Sequence, residues 1–318
     1  MELAPIVIFA YNRADHLERT IMALKENKEA KESVCYIFSD GYKNEKGREK
    51  VLRVREYIKS IPQEYFKELI VIESSKNKGL AKSIIAGVGE VISRHGKAIV
   101  VEDDVITAKN FLKFMNAALD FYKENSRVWS IGGYTVPMEI PVGYNKDILA
   151  VQRCSSYCWA TWYDRWQKID WEIKEYKKFR FNFFARHSFN RYGTDRALML
   201  DDQMNKRVDS WAIRFDYNMW KNNSINILPC KSLSNNIGHD GSGTHSKITQ
   251  EEDVFAIDLK ENQKELAFDN VDLVEGIRKR YVRFFNMSLY QRIKRYLGNL
   301  LISLKRKLKR EDKDEKTK

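Results

Sequence analysis

Three consecutive carboxylates, Glu102, Asp103 and Asp104, are the densest concentration of reactive groups in the sequence. Neighbouring carboxylates repel one another unless a cation or hydrogen-bond donors stabilise them. A hard divalent cation, Mg2+ or Mn2+, takes such oxygen ligands and contacts a diphosphate at the same time. It would neutralise a nucleoside diphosphate as that group departs. An ordinary acidic turn with a helix cap is the alternative, and the apolar run at 98–101 that delivers the triplet argues against it.

Other polar groups recur behind apolar runs. Ala10, Tyr11, Asn12 and Arg13 end the first run, and Asn12 or Arg13 can reach a ribose or phosphates; Arg13 can equally make a surface salt bridge. Ser39-Asp40-Gly41 ends the second, where Asp40 can bond to a base or ribose edge or simply form a turn. Asp201 and Asp202 lie far along the chain. Either could take a proton from an attacking hydroxyl, or the pair could cap a helix N-terminus and sit in its dipole. His239 and His245 flank a glycine-rich loop that could close over phosphates or supply a metal ligand; a polar surface loop is the alternative. Tyr157, Trp159, Trp162, Tyr163, Trp166 and Trp171 form an aromatic stretch. Such residues are more often core than sugar platform, and Trp159 and Trp162 are the two to examine for the latter role.

The elements that must position these groups follow from periodicity. Apolar runs at 4–10, 34–38, 69–72 and 98–101 read as buried strands. Between and after them lie helical patterns: one carrying Leu17, Thr20, Ile21 and Leu24 with Asp15 as its cap, then 48–58, then 80–93 with Gly96 as its stop, and 111–122. This alternation predicts an α/β open sheet, mostly parallel with flanking helices. Such sheets bind ligands beyond the carboxyl ends of their strands, where each polar cluster of the first half falls. Asp201-Asp202-Gln203 is expected to open or ride a helix running towards Trp211. The organisation reads as 1–125, a ligand-binding half; 126–250, the other half of the same domain; and 251–318, a helical extension ending in a basic amphipathic helix.

The 318 residues carry a net charge of +12, with 43% hydrophobic and 12% aromatic residues, which excludes global disorder and suggests an anionic partner. Much of the excess is local: 292–310 holds eight Lys or Arg and no Asp or Glu. Ile293, Leu297, Leu300, Leu301 and Leu304 recur there along one helical face, a pattern that suits an anionic membrane surface or docking on the domain or a second subunit. Cys35, Cys154, Cys158 and Cys230 give no disulfide framework or zinc site, and the simplest reading is a reducing compartment. No signal peptide or membrane-spanning run is expected.

Taken in order, the motifs resemble a known family. Pro5-Ile6-Val7-Ile8-Phe9-Ala10-Tyr11-Asn12-Arg13 resembles the opening of bacterial glycosyltransferases of the GT-A fold, of the family 2 kind, and Ser39-Asp40-Gly41 and Asn77-Lys78-Gly79-Leu80 match their next two landmarks. Glu102-Asp103-Asp104 is similar to their metal motif, in the variant found in N-acetylglucosaminyltransferase I. Asp201-Asp202-Gln203-Met204 resembles the segment of that enzyme holding the catalytic base. The resemblance covers about residues 4–245. It implies a Rossmann-like GT-A fold and an inverting, Mn2+- or Mg2+-dependent transfer from a nucleotide-sugar, UDP-linked by resemblance, to a glycan or lipid-linked oligosaccharide. It further implies Asp104 as direct metal ligand, with Glu102 and Asp103 on ribose and donor sugar or on the metal through water. Asp40 is expected near the base, Ala10 to Arg13 with Asn77 and Lys78 in the nucleotide site, and Trp159 near donor and acceptor. Asp202 is the implied base and Asp201 the alternative. Apart from the resemblance, His239 or His245 is expected as a further metal or diphosphate contact. Cys158 stands where the family has glycine. Work on surface polysaccharide or lipopolysaccharide at the inner face of the plasma membrane is the implied setting.

Competing readings are a sugar nucleotidyltransferase, a nucleic-acid-binding module and a non-catalytic nucleotide-binding scaffold. The segment after Phe9 lacks the glycine-rich phosphate loop of the first. The second is disfavoured because no zinc-finger, helix-turn-helix or RNA-binding signature accompanies the charge. The retained carboxylates argue against the third.

Overall fold

The computed structural model describes residues 2–240, 255–259, 265–299 and 301–302. Strand β1 (Ile6–Ala10), helix α1 (Ala14–Lys25), β2 (Val34–Ser39), α2 (Glu45–Ser60), β3 (Glu68–Glu73), α3 (Leu80–His95) and β4 (Lys97–Glu102) alternate as the apolar runs predict. A short β5 (Val105–Thr107) follows the triplet, then α4 (Phe111–Phe121), β6 (Val128–Gly132), β7 (Ile148–Val151) and β8 (Cys158–Trp162). Helices α5 (Tyr163–Trp166), α6 (Tyr176–Phe181), α7 (Phe183–Phe189), α8 (Arg196–Met204) and α9 (Trp211–Lys221) precede β9 (Ile225–Pro229), β10 (Ser234–Asn236) and α10 (Glu275–Phe284). Residues 289–299 are again helical. Among the described residues no helix is long and apolar enough to cross a membrane.

The main sheet has eight strands in the order β3-β2-β1-β4-β8-β6-β9-β7. β1 to β4 are mutually parallel; β8 runs antiparallel between β4 and β6, β9 pairs parallel with β6, and β7 closes the edge antiparallel. Six of the eight strands therefore share one direction, and both halves of the chain contribute to one sheet. β5 and β10 make a separate antiparallel ribbon.

Burial on both faces explains the unbroken apolar runs. Ile6, Ile8 and Ala10 of β1 enter the core formed with α1, α2 and α4, while Val7 and Phe9 enter a second core beneath α3 and α9. β4 divides in the same way, with Ile99 and Val101 on the first side and Ala98 and Val100 on the second. Alternate residues of a strand face opposite sides, so a doubly covered strand has no polar face to show. α3 ends at Gly96, whose φ of 73° gives the left-handed stop that the sequence suggests.

Three expectations change. Asp15 lies inside the first turn of α1, after the Arg13 cap position, so it meets the helix dipole and does not cap. Asp201 and Asp202 do ride a helix, in the last turn of α8, but that helix stops at Met204 and does not run on, and a new one starts at Trp211. Trp159 is fully buried on the α3–α9 face, stacked on Trp211 at 4.6 Å and on Trp166 at 5.5 Å between ring centroids. It is a core residue, not a surface beside a donor. Trp162 is likewise buried, its indole N–H donating to the Leu119 carbonyl at 3.1 Å. Trp159→Ala should lower the unfolding free energy by about 3–5 kcal/mol, measured by urea titration. A loss below about 1 kcal/mol would show that this stack does not hold α9 to the sheet.

Candidate active site

The carboxyl ends of β1, β2 and β4 lie side by side, since Ala10 pairs with Ser39 and Phe9 with Glu102. The Asp40 N–H donates to the Ala10 carbonyl at 3.0 Å, extending that edge by one residue. Here the loop from Tyr11 to Arg13, the Asp40 turn and the acidic triplet come together.

The triplet turns sharply from β4 into β5, and a buried hydroxyl holds the turn. Thr20 of α1 donates to the Asp103 carbonyl at 3.0 Å and accepts from the Val105 N–H at 3.1 Å. Arg13 supplies the counter-charge: its Nη2 pairs with Asp103 and lies 2.8 Å from Asp104 Oδ2. The other Asp104 oxygen accepts from the Asn236 side-chain amide at 3.0 Å, and the Asp104 carbonyl accepts from the Ile237 N–H at 2.8 Å. Asn236 also accepts from the Gly238 N–H at 2.8 Å, which seats the chain directly against the triplet. A Cβ at Gly238 would collide with the Asp104 carboxylate and lie 2.8 Å from an Arg13 nitrogen, so only glycine fits.

Electrostatics at the turn follow from crowding and burial. Burial, then repulsion from Asp104 and Asp103, pushes Glu102 well above the usual carboxylate range, with Arg13 opposing. Burial raises Asp103 to about 6 against the pull of Arg13, and Asp104 adds to the rise. Burial works against the Arg13 charge, but Asp103 and Asp104 more than compensate and hold it protonated. One guanidinium faces three carboxyl groups, which leaves negative charge uncompensated.

The donor chemistry fits Mg2+ or Mn2+, because all three side chains offer hard oxygens. The arrangement itself is closed: among the described residues no group of three His, Cys, Asp or Glu is gathered to hold a metal ion. Arg13 bridges Asp103 and Asp104, so a cation approaching both must displace it from at least one.

Asp40 is a clasp. Its carboxylate accepts from the backbone N–H of Gly41, Lys78 and Gly79 at 2.9–3.1 Å and from the Asn77 amide at 3.1 Å. Asn77 also donates to the Gly41 carbonyl at 2.8 Å. Gly41 is needed there, since a Cβ would come within 2.5 Å of the Lys76 carbonyl carbon. Asp40, Asn77 and Lys78 thus form one unit at the sheet edge, with the Tyr11 hydroxyl accepting from the Lys43 N–H at 3.3 Å beside it.

Asp201 and Asp202 are each 3% exposed and tied elsewhere. Asp201 receives both Arg186 nitrogens, at 2.9 and 2.7 Å, and the Tyr176 hydroxyl at 2.9 Å. Asp202 pairs with Arg295, Arg207 and the Asn299 amide, at 2.5, 3.2 and 2.7 Å. Carboxylates in the last turn of a helix face the negative end of its dipole, and these cations offset that. Among the described residues no hydrogen bond or ion pair joins either to the triplet. His239 meets the Tyr157 hydroxyl at 3.2 Å, and His16 pairs with Asp240 at 3.2 Å; His245 lies outside the described residues.

Sequence reasoning missed Thr20, Asn236, Gly238 and Asp216. The buried Asp216 accepts from the Cys154 N–H and from Arg196, both at 2.7 Å, and so fixes the loop that leads into β8. Asn235-Asn236 before a glycine-rich loop was the one available signal, and the Asn236 partner Asp104 lies 132 residues away.

The fold is a mixed α/β, Rossmann-like architecture with a mostly parallel sheet flanked by helices, consistent with the GT-A arrangement, and its acidic site lies at the carboxyl edge. Residues 1–135 match the model of the GNT-I family. No curated protein matches the chain. Among solved structures, residues 1–349 of TarS from S. aureus superpose with a TM-score of 0.40 at 11% identity, covering 73% of this chain and 59% of that one. This chain therefore spans about three-fifths of that TarS fragment. The galactosyltransferase LgtC, in complex with donor and acceptor sugar analogues, superposes with a TM-score of 0.39 at 11% identity over 70% of this chain and 72% of that one.

Two outcomes are expected for the triplet. Arg13→Gln removes its counter-charge and should destabilise the metal-free protein at neutral pH by about 3 kcal/mol, with millimolar Mn2+ restoring much of the loss in a thermal melt. Melting unaffected by the substitution would refute the counter-charge role. Asp103 sits above its unfolded value, so the folded form holds more protons between about pH 4 and pH 6. Its contribution therefore favours folding as pH falls through that window and is lost above it. Asp103→Asn should flatten that part of the metal-free stability profile; an unchanged profile would contradict the shift.

Proposed function

We propose that the protein is a glycosyltransferase that moves a sugar from a nucleotide-sugar, UDP-linked on the resemblance, to a glycan or lipid-linked oligosaccharide with inversion at the anomeric carbon. The observation that carries this reading is the acidic triplet on the carboxyl edge of the sheet, beside the β1 loop and the Asp40 clasp. The GNT-I family match over residues 1–135 supports it.

In this reading the Asp40–Asn77–Lys78 unit and the loop of Ala10, Tyr11, Asn12 and Arg13 seat the nucleoside. Arg13 leaves part of its carboxylate pairing and turns its charge to the donor phosphates. Asp104 holds the divalent cation, with Glu102 and Asp103 on ribose and sugar; His245 is a further candidate. When bound, Mn2+ or Mg2+ neutralises charge on the departing diphosphate. Asp202, or Asp201 in its place, takes the proton from the acceptor hydroxyl. Either role requires an arginine to withdraw, Arg295 with Asn299 from Asp202 or Arg186 from Asp201. Peripheral association with the inner face of the plasma membrane, for surface polysaccharide or lipopolysaccharide assembly, follows from a lipid-linked acceptor.

The test is donor hydrolysis by purified protein across UDP-, GDP-, dTDP- and CMP-sugars with Mn2+, Mg2+ or EDTA. One donor class should turn over, EDTA should abolish the activity, and Asp104→Ala should lower it at least about a hundredfold. Asp202→Asn should impair transfer to an acceptor while sparing donor binding. Silence across the panel with no nucleotide-induced thermal shift would overturn the proposal.

A further inference from the structure

Residues 289–299 and 301–302 form an amphipathic helix docked by its polar side. Arg295 and Asn299 face inward onto Asp202, and Asn299 also takes the Asn205 amide at 2.7 Å. The apolar side points out, with Ile293 at 50%, Leu297 at 49% and Leu301 at 58% exposed. A helix that docks for stability alone buries its apolar stripe, so this orientation needs an apolar or interfacial partner.

A second apolar projection stands nearby. α6 and α7 meet at Asn182, and Phe181, Phe183 and Phe184 there are 80%, 74% and 82% exposed. Arg186, on the same helix as Phe183 and Phe184, pairs with Asp201, next in the chain to the Asp202 that holds Arg295. Its guanidinium is also within electrostatic reach of Tyr296. The two apolar features are therefore bolted side by side to one turn of α8.

Charge identifies the partner. Residues 176–194 contain Lys177, Lys178, Arg180, Arg186 and Arg191 and no acid, and residues 276–310 contain no acid either. Glu175, at the margin, is turned to Lys221 at 2.5 Å. Arg186 and Arg295 are paired with Asp201 and Asp202, but the segments as a whole carry an excess of Lys and Arg; exposed aromatics and leucines in such basic segments are the composition that inserts at a bilayer interface and is attracted to anionic headgroups. We propose that the α6–α7 phenylalanines and the outward face formed by residues 289–299 and 301–302 make one surface that docks on an anionic lipid bilayer. This deepens the peripheral-membrane part of the proposed function and rests on it only for the use made of the docked state.

The experiment is flotation of the full chain with vesicles of phosphatidylcholine alone or mixed with phosphatidylglycerol. Wild type should float with the mixed vesicles, more weakly in high salt. Phe181→Ser/Phe183→Ser/Phe184→Ser should lower its partition at least about tenfold, and Leu297→Ser/Leu301→Ser should weaken it independently. Arg292→Gln with Lys294→Gln should cost about fivefold per charge. Each variant should keep the wild-type melting temperature and donor hydrolysis. Failure of wild type to float, or unchanged partition of the phenylalanine variant, would overturn the surface. So would loss of a concentration-dependent dimer in that variant with flotation intact, which would make the face a contact between copies. Donor hydrolysis present without flotation would remove the surface and leave the transferase reading; flotation without hydrolysis would do the reverse.

Discussion

Three consecutive carboxyl groups at the end of a buried strand cannot all be charged without compensation, and the site is arranged around supplying it. Arg13 comes from the end of β1, Thr20 from α1 and Asn236 from β10, and all three converge on the turn formed by Asp103 and Asp104. Without the arginine the turn holds adjacent buried anions, whose mutual repulsion is strong where water is excluded. Without Asn236 the late part of the chain keeps its backbone links to the site but loses its side-chain contact with the Asp104 carboxylate. The triplet is thus where the two halves of the sequence are joined electrostatically.

Sheet topology makes this convergence possible. Parallel strands present their carboxyl ends on one edge, so β1, β2 and β4 deliver their loops to the same place. β8 then pairs antiparallel with β4, and its preceding loop arrives at that edge: the Glu102 N–H donates to the Tyr157 carbonyl at 3.1 Å. β10 returns beside β5 and brings Asn236 and Gly238 onto Asp104. A single reversed strand in the middle of the sheet lets residues beyond position 150 reach a site built from residues up to Asp104.

The parts legible in the sequence were those governed by local rules. Doubly buried strands require unbroken apolar runs, so β1, β2 and β4 were visible, as was the glycine stop of α3. The triplet was visible because its three charges are adjacent in the chain. What could not be read were pairings set by distant folding. Asp40 read as a contact for a base or ribose edge or as a turn, and nothing local showed that it clasps backbone amides of a loop nearly forty residues on. Trp159 was open to both a core and a platform reading, and its place between Trp211 and Trp166 depends on where α9 packs. The amphipathic pattern of the C-terminal helix was plain, but its orientation was not, because the polar anchors Arg295 and Asn299 find their partner in α8.

That anchor sets a condition on the chemistry. Asp202 has both oxygens occupied by Arg295, Asn299 and Arg207, so neither oxygen is open to an acceptor hydroxyl while the helix is docked. It cannot hold the C-terminal helix and accept a proton from a hydroxyl at the same moment. If Asp202 is the base, acceptor binding has to roll or withdraw the helix, and sugar transfer is then coupled to whatever the outward face of that helix touches. If Asp202 is only an anchor, the proton goes to another carboxylate and the helix remains in place throughout turnover. The two cases separate on one property: only in the first does occupancy of the outer apolar face change the rate of transfer while leaving donor binding as it was.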